Sequence, residues 1–149
     1  MQTATLIIDV ATDADLPRVL AIDPRVHDTP GRREFLKRAV GAGECFVARD
    51  GRGIDGFAVF DRSFFDQPFI ALLYVDPSRR RRGIATALIR HIESVCPGDR
   101  LFTSTNASNV AMQRACEALG FVRSGYIENL DEGDPEIVYV RWLPTRSKS

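Results

Sequence analysis

The segment with the clearest chemical potential joins an apolar, strand-like run to a helix-like run through four arginines and a glycine. It is Leu73-Tyr-Val-Asp-Pro-Ser-Arg-Arg-Arg-Arg-Gly83-Ile-Ala85. The first turn of a helix has unpaired backbone N–H groups and the positive end of the helix dipole, so it can bind a phosphate group. Gly83 and Ala85 have small side chains that would let a phosphate approach the backbone closely. The segment therefore predicts a site for a phosphate-bearing ligand, with the arginines as additional donors.

The charge balance bears on which ligand carries that phosphate. Twenty basic and twenty acidic side chains cancel to a net charge of zero. A nucleic-acid-binding domain carries more positive charge overall, with aromatic residues interleaved among the basic ones. We therefore expect no nucleic-acid partner, and the alternative for the arginine run is a solvated basic turn.

A second charged cluster lies near the C-terminus. Five carboxylates occur within nine residues, namely Glu128, Asp131, Glu132, Asp134 and Glu136. The simplest interpretation is a solvated loop between two strands, with Gly133 and Pro135 as turn formers. The alternative is a recognition surface for a cationic amine, because carboxylates attract an ammonium group and could help to deprotonate it.

The hydrophobic pattern predicts the elements that must position these residues. Strands are predicted at 3–10, 44–50, 53–65, 69–77, 100–105, 121–130 and 136–143, and helices at 13–23, 30–40, 84–95 and 108–119. Thr29 is the expected N-cap of the second helix, with Pro30 at its first position. The run at 69–77 is apolar on both faces, as expected of a central strand that is covered on both sides.

The predicted order is β-α-α-β-β-β-α-β-α-β-β, which indicates an α/β (α+β) fold. The crossover helix at 84–95 permits a parallel pairing. We expect a mixed, twisted sheet of about seven strands with helices on both faces. Residues 1–149 are interpreted as one domain, with 146–149 as a frayed tail.

The phosphate-binding segment resembles the signature of the GNAT superfamily of acyl-CoA N-acyltransferases. That signature is Gln/Arg-x-x-Gly-x-Gly/Ala after a strand that ends in a Val-x-Pro-like turn. Here Arg80, Gly83 and Ala85 have the required spacing and follow Val75-Asp-Pro77. Family members also often carry an Asn followed eleven residues later by Gly-Phe, and Asn109 precedes Gly120-Phe121 at that spacing. The element order agrees, so the resemblance covers roughly residues 3–143.

The resemblance implies acetyl-CoA as the co-substrate and no metal ion. The backbone amides of 81–86 would hold the pyrophosphate, and the backbone of 73–75 would pair with the pantetheine arm as an extra strand would. The implied cofactor-binding residues are Leu73, Tyr74, Val75, Arg80, Arg81, Arg82, Gly83, Ile84, Ala85, Thr86 and Asn109. For Asn109, a role as helix cap is the alternative.

The resemblance also implies direct attack by the amine in a ternary complex. Many family members place a general-acid tyrosine four residues before the Gly of Gly-Phe, where this chain has Cys116. A thiol with a pKa of about 8.5 could protonate a leaving thiolate, but a cysteine on a helix is more often a core residue. Tyr126 on the next strand is the alternative acid, whereas Tyr74 and Tyr139 are predicted to be packing residues.

The general base is less obvious, because the predicted central strand has no carboxylate. Glu128 or a chain of water molecules would have to deprotonate the amine. Asn106, Glu128 and Asp131 are predicted to line the acceptor site, together with the stretch 23–28.

The predicted function is therefore acetyl transfer from acetyl-CoA to a primary amine of a small cationic molecule. One alternative acceptor is a protein amine, at an N-terminus or a lysine. A second alternative is a CoA-binding sensor without catalysis, because neither the usual tyrosine nor a strand carboxylate is present.

The remaining features concern the cellular setting. The cysteine count is three, without metal-ligand spacing, which indicates reduced thiols rather than a disulfide framework. The N-terminus lacks a basic signal-peptide region, and no apolar run reaches the ~20 residues that span a bilayer. A cytoplasmic location without a membrane partner is expected. Homodimers are the commonest assembly in general.

Overall fold

The structure, a computed structural model, describes residues 5–79 and 83–144. Within these residues the elements are β1 (Ile7–Val10), α1 (Leu16–Ile22), α2 (Arg32–Gly41), β2 (Cys45–Asp50), β3 (Gly53–Phe64), β4 (Gln67–Val75), α3 (Ile84–Val95), β5 (Arg100–Asn106), α4 (Val110–Ala118), β6 (Val122–Ile127) and β7 (Glu136–Trp142). The strands form one mixed sheet in the order β1-β2-β3-β4-β5-β7-β6. The predicted order of elements and the mixed seven-stranded sheet are thus confirmed for the described residues.

By their internal contacts the residues form two compact units, Met1–Phe60 with Leu72–Ile92 and Asp61–Ala71 with Glu93–Ser149. The first unit contains the antiparallel pairs β1–β2 and β2–β3. The second contains the antiparallel pairs β5–β7 and β6–β7, and the parallel pairing of β4 with β5. The interpretation of 1–149 as one domain stays a prediction, and the predicted frayed tail lies outside the described residues.

The helices of the first unit bury one apolar face each, as their sequence periodicity predicts. On α3 the buried positions follow helical spacing, with Ile84, Leu88 and Ile92 in line. The predicted start of α2 is wrong, because the N-cap is Gly31 rather than Thr29. Gly31 has a φ of 81°, a left-handed conformation that glycine adopts without steric cost.

In the second unit the side chains of β5 alternate between two environments. Leu101, Thr103 and Thr105 of β5 are buried, while the intervening residues are only half buried. Tyr139 of β7 lies opposite Thr103, and its side chain is fully buried, as predicted for a packing residue. The buried residues of β5 thus share one face, whereas β7 is buried at four consecutive positions, 137–140.

Substitution of Gly56 in β3 tests how closely the β3 backbone packs against β4 and α3 in the first unit. A Cβ at this position would lie 3.0 Å from both the Tyr74 carbonyl oxygen and Ile84 Cγ2. Gly56→Ala is therefore expected to lower the free energy of unfolding by about 1–3 kcal/mol, a typical cost of overpacking. Urea denaturation measures the effect.

The matched control is Gly51→Ala in the β2–β3 turn. A Cβ there would meet no described atom within 4 Å. This variant should change the free energy of unfolding by less than about 0.5 kcal/mol, as surface substitutions usually do. Equal stability of the two variants would contradict the close approach of the β3 backbone to β4 and α3.

Candidate active site

The C-terminal half of β4 is apolar but only half buried. Pro68 and Ile70 are buried, whereas the residues at 71–75 are all partly exposed. The parallel ladder with β5 consists of two residue pairs, Phe69–Phe102 and Ile70–Thr103. The prediction that this strand is covered on both sides is therefore wrong for 71–75, where the side chains are only half buried. An extended ligand can pair with a strand edge of this kind.

A tightly bonded turn follows β4. The Asp76 backbone N–H donates to the Asp55 carbonyl (2.8 Å), and Asp76 Oδ1 accepts from the Ser78 amide (3.0 Å) and hydroxyl (2.9 Å). Arg18 of α1 pairs with Asp76 Oδ2 and donates from Nε to the Ile54 carbonyl (3.1 Å). The hydrogen bond from Arg18, supported by those from Ser78, lowers the pKa of Asp76 to about 2. The turn after β4 is thus fixed by a hydrogen bond to β3 and by the ion pair with α1.

Arg79 is directed at two carboxylates of the β2–β3 hairpin. Its Nη1 lies 3.6 Å from Asp50 Oδ2, and its Nε lies 3.5 Å from Asp55 Oδ1. The two aspartate side chains are 5% and 4% exposed. Burial, followed by the neighbouring Asp50, raises the pKa of Asp55. Arg79 therefore anchors the turn and contributes no unpaired positive charge to a ligand, while the predicted ligand-binding residues Arg80, Arg81 and Arg82 lie outside the described residues.

The start of α3 provides space beside unpaired amides. Gly83 has a φ of 72°, and a Cβ there would meet no described atom within 4 Å. The Ala87 amide donates to the Gly83 carbonyl (2.9 Å), which begins the helical bonding pattern. The amides of Ile84, Ala85 and Thr86 precede that pattern and have no acceptor inside the helix. The structure thus brings the described residues of the predicted cofactor loop to one helix start, with the end of β4 adjacent through Gly56.

The second motif marks the two ends of α4. Asn109 is the N-cap, since its Oδ1 accepts from the Met112 amide (3.1 Å). At the other end the Phe121 amide donates to the Cys116 carbonyl (2.9 Å), with Gly120 between helix and strand. The alternative that Asn109 is a helix cap is confirmed, and its cofactor role stays a prediction.

Cys116 is a fully buried thiol on the inner face of α4. Burial, with a smaller contribution from Glu117, raises the pKa of its thiol to about 11. It is therefore a neutral, packed side chain near neutral pH. Tyr126, the alternative acid, lies on β6 with 64% of its surface exposed, and Glu128 is exposed just beyond that strand. The catalytic roles of these three residues stay predictions.

The β5–α4 loop is bonded to the acidic connection that precedes β7. Asn106 Nδ2 donates to Asp131 Oδ2 (2.8 Å) and to the Asp134 carbonyl (3.3 Å). The Ser108 amide and hydroxyl donate to the two oxygens of the Asp134 carboxylate (2.9 and 2.6 Å). Two residues predicted to line the acceptor site, Asn106 and Asp131, are therefore in direct contact.

Glu136 is a functional candidate that the sequence did not single out. It is the first residue of β7, and its Oε2 accepts a 2.7 Å hydrogen bond from the Ser104 hydroxyl of β5. Burial raises the pKa of Glu136, the Ser104 hydrogen bond opposes this, and Asp131 and Asp134 raise it further. In the sequence it was one of five similar carboxylates. The feature that could have distinguished Glu136 from the other four carboxylates is its position at the start of a buried strand.

The carboxylates of the β6–β7 connection differ from most of the others in their charge partners. Among the described residues none of the five carboxylates from Glu128 to Glu136 forms an ion pair. By contrast, ion pairs with arginine are formed by Asp9, Asp15, Asp23, Asp28, Asp50, Asp55, Asp66, Asp76, Glu93 and Asp99. The connection therefore presents uncompensated negative charge, which suits a cationic ligand.

Sequence comparison identifies the family. The model of the acetyltransferase (GNAT) family matches residues 11–121, which include the end of β4, the loop, α3 and all of α4. The chain belongs to the acetyltransferase (GNAT) family. A human relative, cysteine-rich protein 2-binding protein, is 36% identical over 72 residues, which are 48% of this chain and only 9% of that protein's length.

Solved structures agree with this membership. A GNAT-family acetyltransferase from Bacillus cereus ATCC 10987 is 38% identical, with a TM-score of 0.86 over 95% of this chain and 99% of that one. The ribosomal-protein-S18-alanine N-acetyltransferase from Escherichia coli is 21% identical, with a TM-score of 0.81 over 97% of both chains. The yncA protein from Salmonella typhimurium, solved with its cofactor acetyl-CoA, is 16% identical, with a TM-score of 0.74 over 96% of both chains.

The described residues of this GNAT domain fit acetyl-CoA, the cofactor of the family. The space at Gly83 and the amides of the α3 start that have no acceptor inside the helix suit the pyrophosphate, and the half-buried edge of β4 suits an extended arm. In the described ranges no group of three or more His, Cys, Asp or Glu could hold a metal ion. None of the helices there is long and apolar enough to cross a membrane.

Substitution of Gly83 tests the phosphate cradle. Gly83→Asn should weaken acetyl-CoA binding by at least about tenfold, or about 1.4 kcal/mol, because the side chain fills the space beside the α3 amides. Asparagine tolerates a positive φ, so the melting temperature should stay close to that of the wild type. Gly83→Val should lose binding and also stability, because a β-branched residue is strained there. Calorimetric titration checks the affinities, and unchanged affinity in well-folded Gly83→Asn would contradict the site.

Cys116→Ala separates packing from acid catalysis. If Cys116 is a packing residue, its replacement by alanine should lower the free energy of unfolding by about 1–2 kcal/mol, because a cavity remains in the core. Turnover should then fall by less than about tenfold, because no proton donor is lost. A loss of about a hundredfold or more in kcat, with normal stability and acetyl-CoA affinity, would instead identify the thiol as the acid.

Proposed function

We propose that this GNAT protein transfers the acetyl group of acetyl-CoA to a primary amine of a small cationic molecule, by direct attack in a ternary complex. The observation that carries the proposal is the uncompensated negative charge of the β6–β7 connection. A neutral or anionic acceptor would gain nothing from five carboxylates that lack ion-pair partners among the described residues, whereas an acceptor with one or more ammonium groups would be attracted to them.

The donor side of the proposal rests on the first unit. The amides at the start of α3 and the space at Gly83 would hold the pyrophosphate, and the edge of Leu73 to Val75 would hold the pantetheine arm. When bound, acetyl-CoA supplies an activated acetyl group in a thioester. Backbone N–H groups along β4 are suited to stabilise negative charge that develops on a carbonyl oxygen.

The acceptor side rests on the second unit. Asn106 fixes the Asp131 carboxylate, so that this group is oriented before an amine arrives. The arrangement reduces the cost of ordering the site on binding. The carboxylates would hold the acceptor in its ammonium form, which must lose a proton before it can attack a carbonyl carbon.

A protein amine is the second candidate acceptor. Exposed apolar side chains lie within and beside the acidic connection, with Leu130 61% and Tyr126 64% exposed. Such a surface could contact a peptide as well as a small polycation. The Escherichia coli relative is named for the alanine of a ribosomal protein. At 21% identity it supports the shared fold, and the acceptor must be decided by experiment.

The proposal is tested by calorimetric binding of acetyl-CoA followed by thiol release with two sets of acceptors. One set contains polyamines, aminoglycosides and amino acids, and the other contains peptides with a free N-terminus or a lysine. We expect binding, and release with a small polycation. Release with peptides alone would favour a protein acceptor, binding without release would favour a CoA-binding module, and absence of binding would contradict the proposal.

Asp131→Asn tests acceptor recognition directly. For a polycationic acceptor its KM should rise by about fivefold to thirtyfold, the effect of losing an interaction of about 1–2 kcal/mol with a charged group. The acetyl-CoA affinity should not change. Asp61→Asn removes one negative charge elsewhere in the second unit, and its KM should match the wild type. Equal KM values in the two variants would contradict recognition by the acidic connection.

A further inference from the structure

The five carboxylates of the β6–β7 connection are not equivalent in environment. Glu128, Asp131 and Glu132 are exposed. Asp134 is half buried, but Ser108 donates to both of its oxygens. Glu136 is half buried and receives one hydrogen bond, from Ser104 to Oε2, so that Oε1 has no hydrogen-bond donor among the described residues. Of these groups, Glu136 alone combines partial burial with an oxygen that has no hydrogen-bond donor among the described residues.

The position of Glu136 is fixed by strand pairing rather than by a loop. It lies opposite Asn106 in the β5–β7 ladder, and Ser104 is two residues further along β5 on the same face. Asn106 in turn binds Asp131. Glu136 therefore shares one side of the sheet with the residues that are proposed to hold the acceptor amine.

The chemistry of this environment suits a base. A carboxylate that is partly removed from water and lacks a positive partner holds a proton more strongly than a solvated one. Burial is the main cause of the raised pKa of Glu136, and the nearby negative charges of Asp131 and Asp134 add to it. A pKa moved towards neutrality favours efficient proton transfer at physiological pH. The Ser104 hydroxyl limits the shift and fixes the orientation of the group.

We propose that Glu136 is the general base of the acetyl transfer and that Ser104 is its positioning residue, an inference that rests on the proposed function. Glu136 Oε1 takes one proton from the acceptor ammonium. The nitrogen then forms a bond to the acetyl carbon as the carbon–sulfur bond breaks. The sulfur takes the second proton lost by the nitrogen, and Glu136 returns its proton to solvent. The products are an amide, a thiol and one released proton.

Glu136→Gln is the first test, because glutamine keeps the shape and can still accept the bond from Ser104. At neutral pH its kcat should fall by about 100- to 10,000-fold, the usual contribution of a general base. The acetyl-CoA affinity should be unchanged. The deficit should shrink as the pH approaches the pKa of the acceptor, about 10.4 for a lysine-like amine, because less ammonium then needs deprotonation.

Ser104→Ala tests the positioning role through the pH profile. In the wild type, the rate should rise with pH as Glu136 loses its proton. The Ser104 hydrogen bond stabilises the charged form of Glu136. Its loss should therefore move this rising limb of the pH–rate profile to higher pH, and it should reduce kcat only severalfold. A purely structural role would lower the rate without moving the limb. Asp61→Asn, which removes a carboxylate elsewhere in the same unit, should leave both rate and profile unchanged.

A measurement without acetyl-CoA provides an independent readout. A carboxyl whose pKa is raised by folding destabilises the folded state increasingly as pH rises above its unfolded pKa and through its folded pKa. The melting temperature of Glu136→Gln, relative to the wild type, should therefore increase between pH 4 and pH 8. Thermal scans of both proteins across this range measure the difference.

The outcomes separate the two proposals. A wild type that acetylates amines while Glu136→Gln stays within about tenfold of its rate would overturn the role of Glu136 and leave the function standing. A wild type that binds no acetyl-CoA or acetylates no amine would overturn the function and this inference with it. A flat difference in melting temperature across pH would overturn the raised basicity on which the role depends.

Discussion

Backbone groups inside a sheet need hydrogen-bond partners, and β4 has a parallel partner in β5 for only two residue pairs. The rest of the strand is apolar and yet half buried, an arrangement that would be costly if nothing ever covered it. Much of the first unit holds this strand end in place. Gly56 brings the β3 backbone against Tyr74 and Ile84, and the paired Arg18 and Asp76 fix the turn that follows.

Among the described residues, ten acidic residues pair with arginine, and several of these pairs join elements that are distant in sequence, such as Arg49 with Asp15 or Arg18 with Asp76. Those carboxylates are part of the scaffold. Three carboxylates of the β6–β7 connection, Asp131, Asp134 and Glu136, are held by neutral donors instead, from Asn106, Ser108 and Ser104. Neutral donors orient a carboxylate without cancelling its charge, so the connection remains able to attract a cation.

Several features of the site followed from short sequence windows. The Asn109 and Gly120-Phe121 spacing corresponds to the two ends of α4, and the Gly83 segment lies at the start of α3, because caps and helix starts depend on a few adjacent residues. The cap of α2 was mispredicted for the same reason. Thr29-Pro30 is a favourable start in isolation, but the turn that precedes α2 needs the positive φ that Gly31 provides.

The amino-acid sequence by itself determined the order of the elements and the family, and it predicted the position of the cofactor loop, since each depends on periodicity or on a motif within about a dozen residues. Only the tertiary structure decided which charged side chains form ion pairs within the fold and which have no ion-pair partner among the described residues. Arg79 lies beside three further arginines in sequence, yet it is paired with Asp50 and Asp55. Glu136 meets Ser104 across 32 residues through the register of β5 and β7. Such contacts depend on which distant segments pair, and a pattern within a few adjacent residues does not specify this.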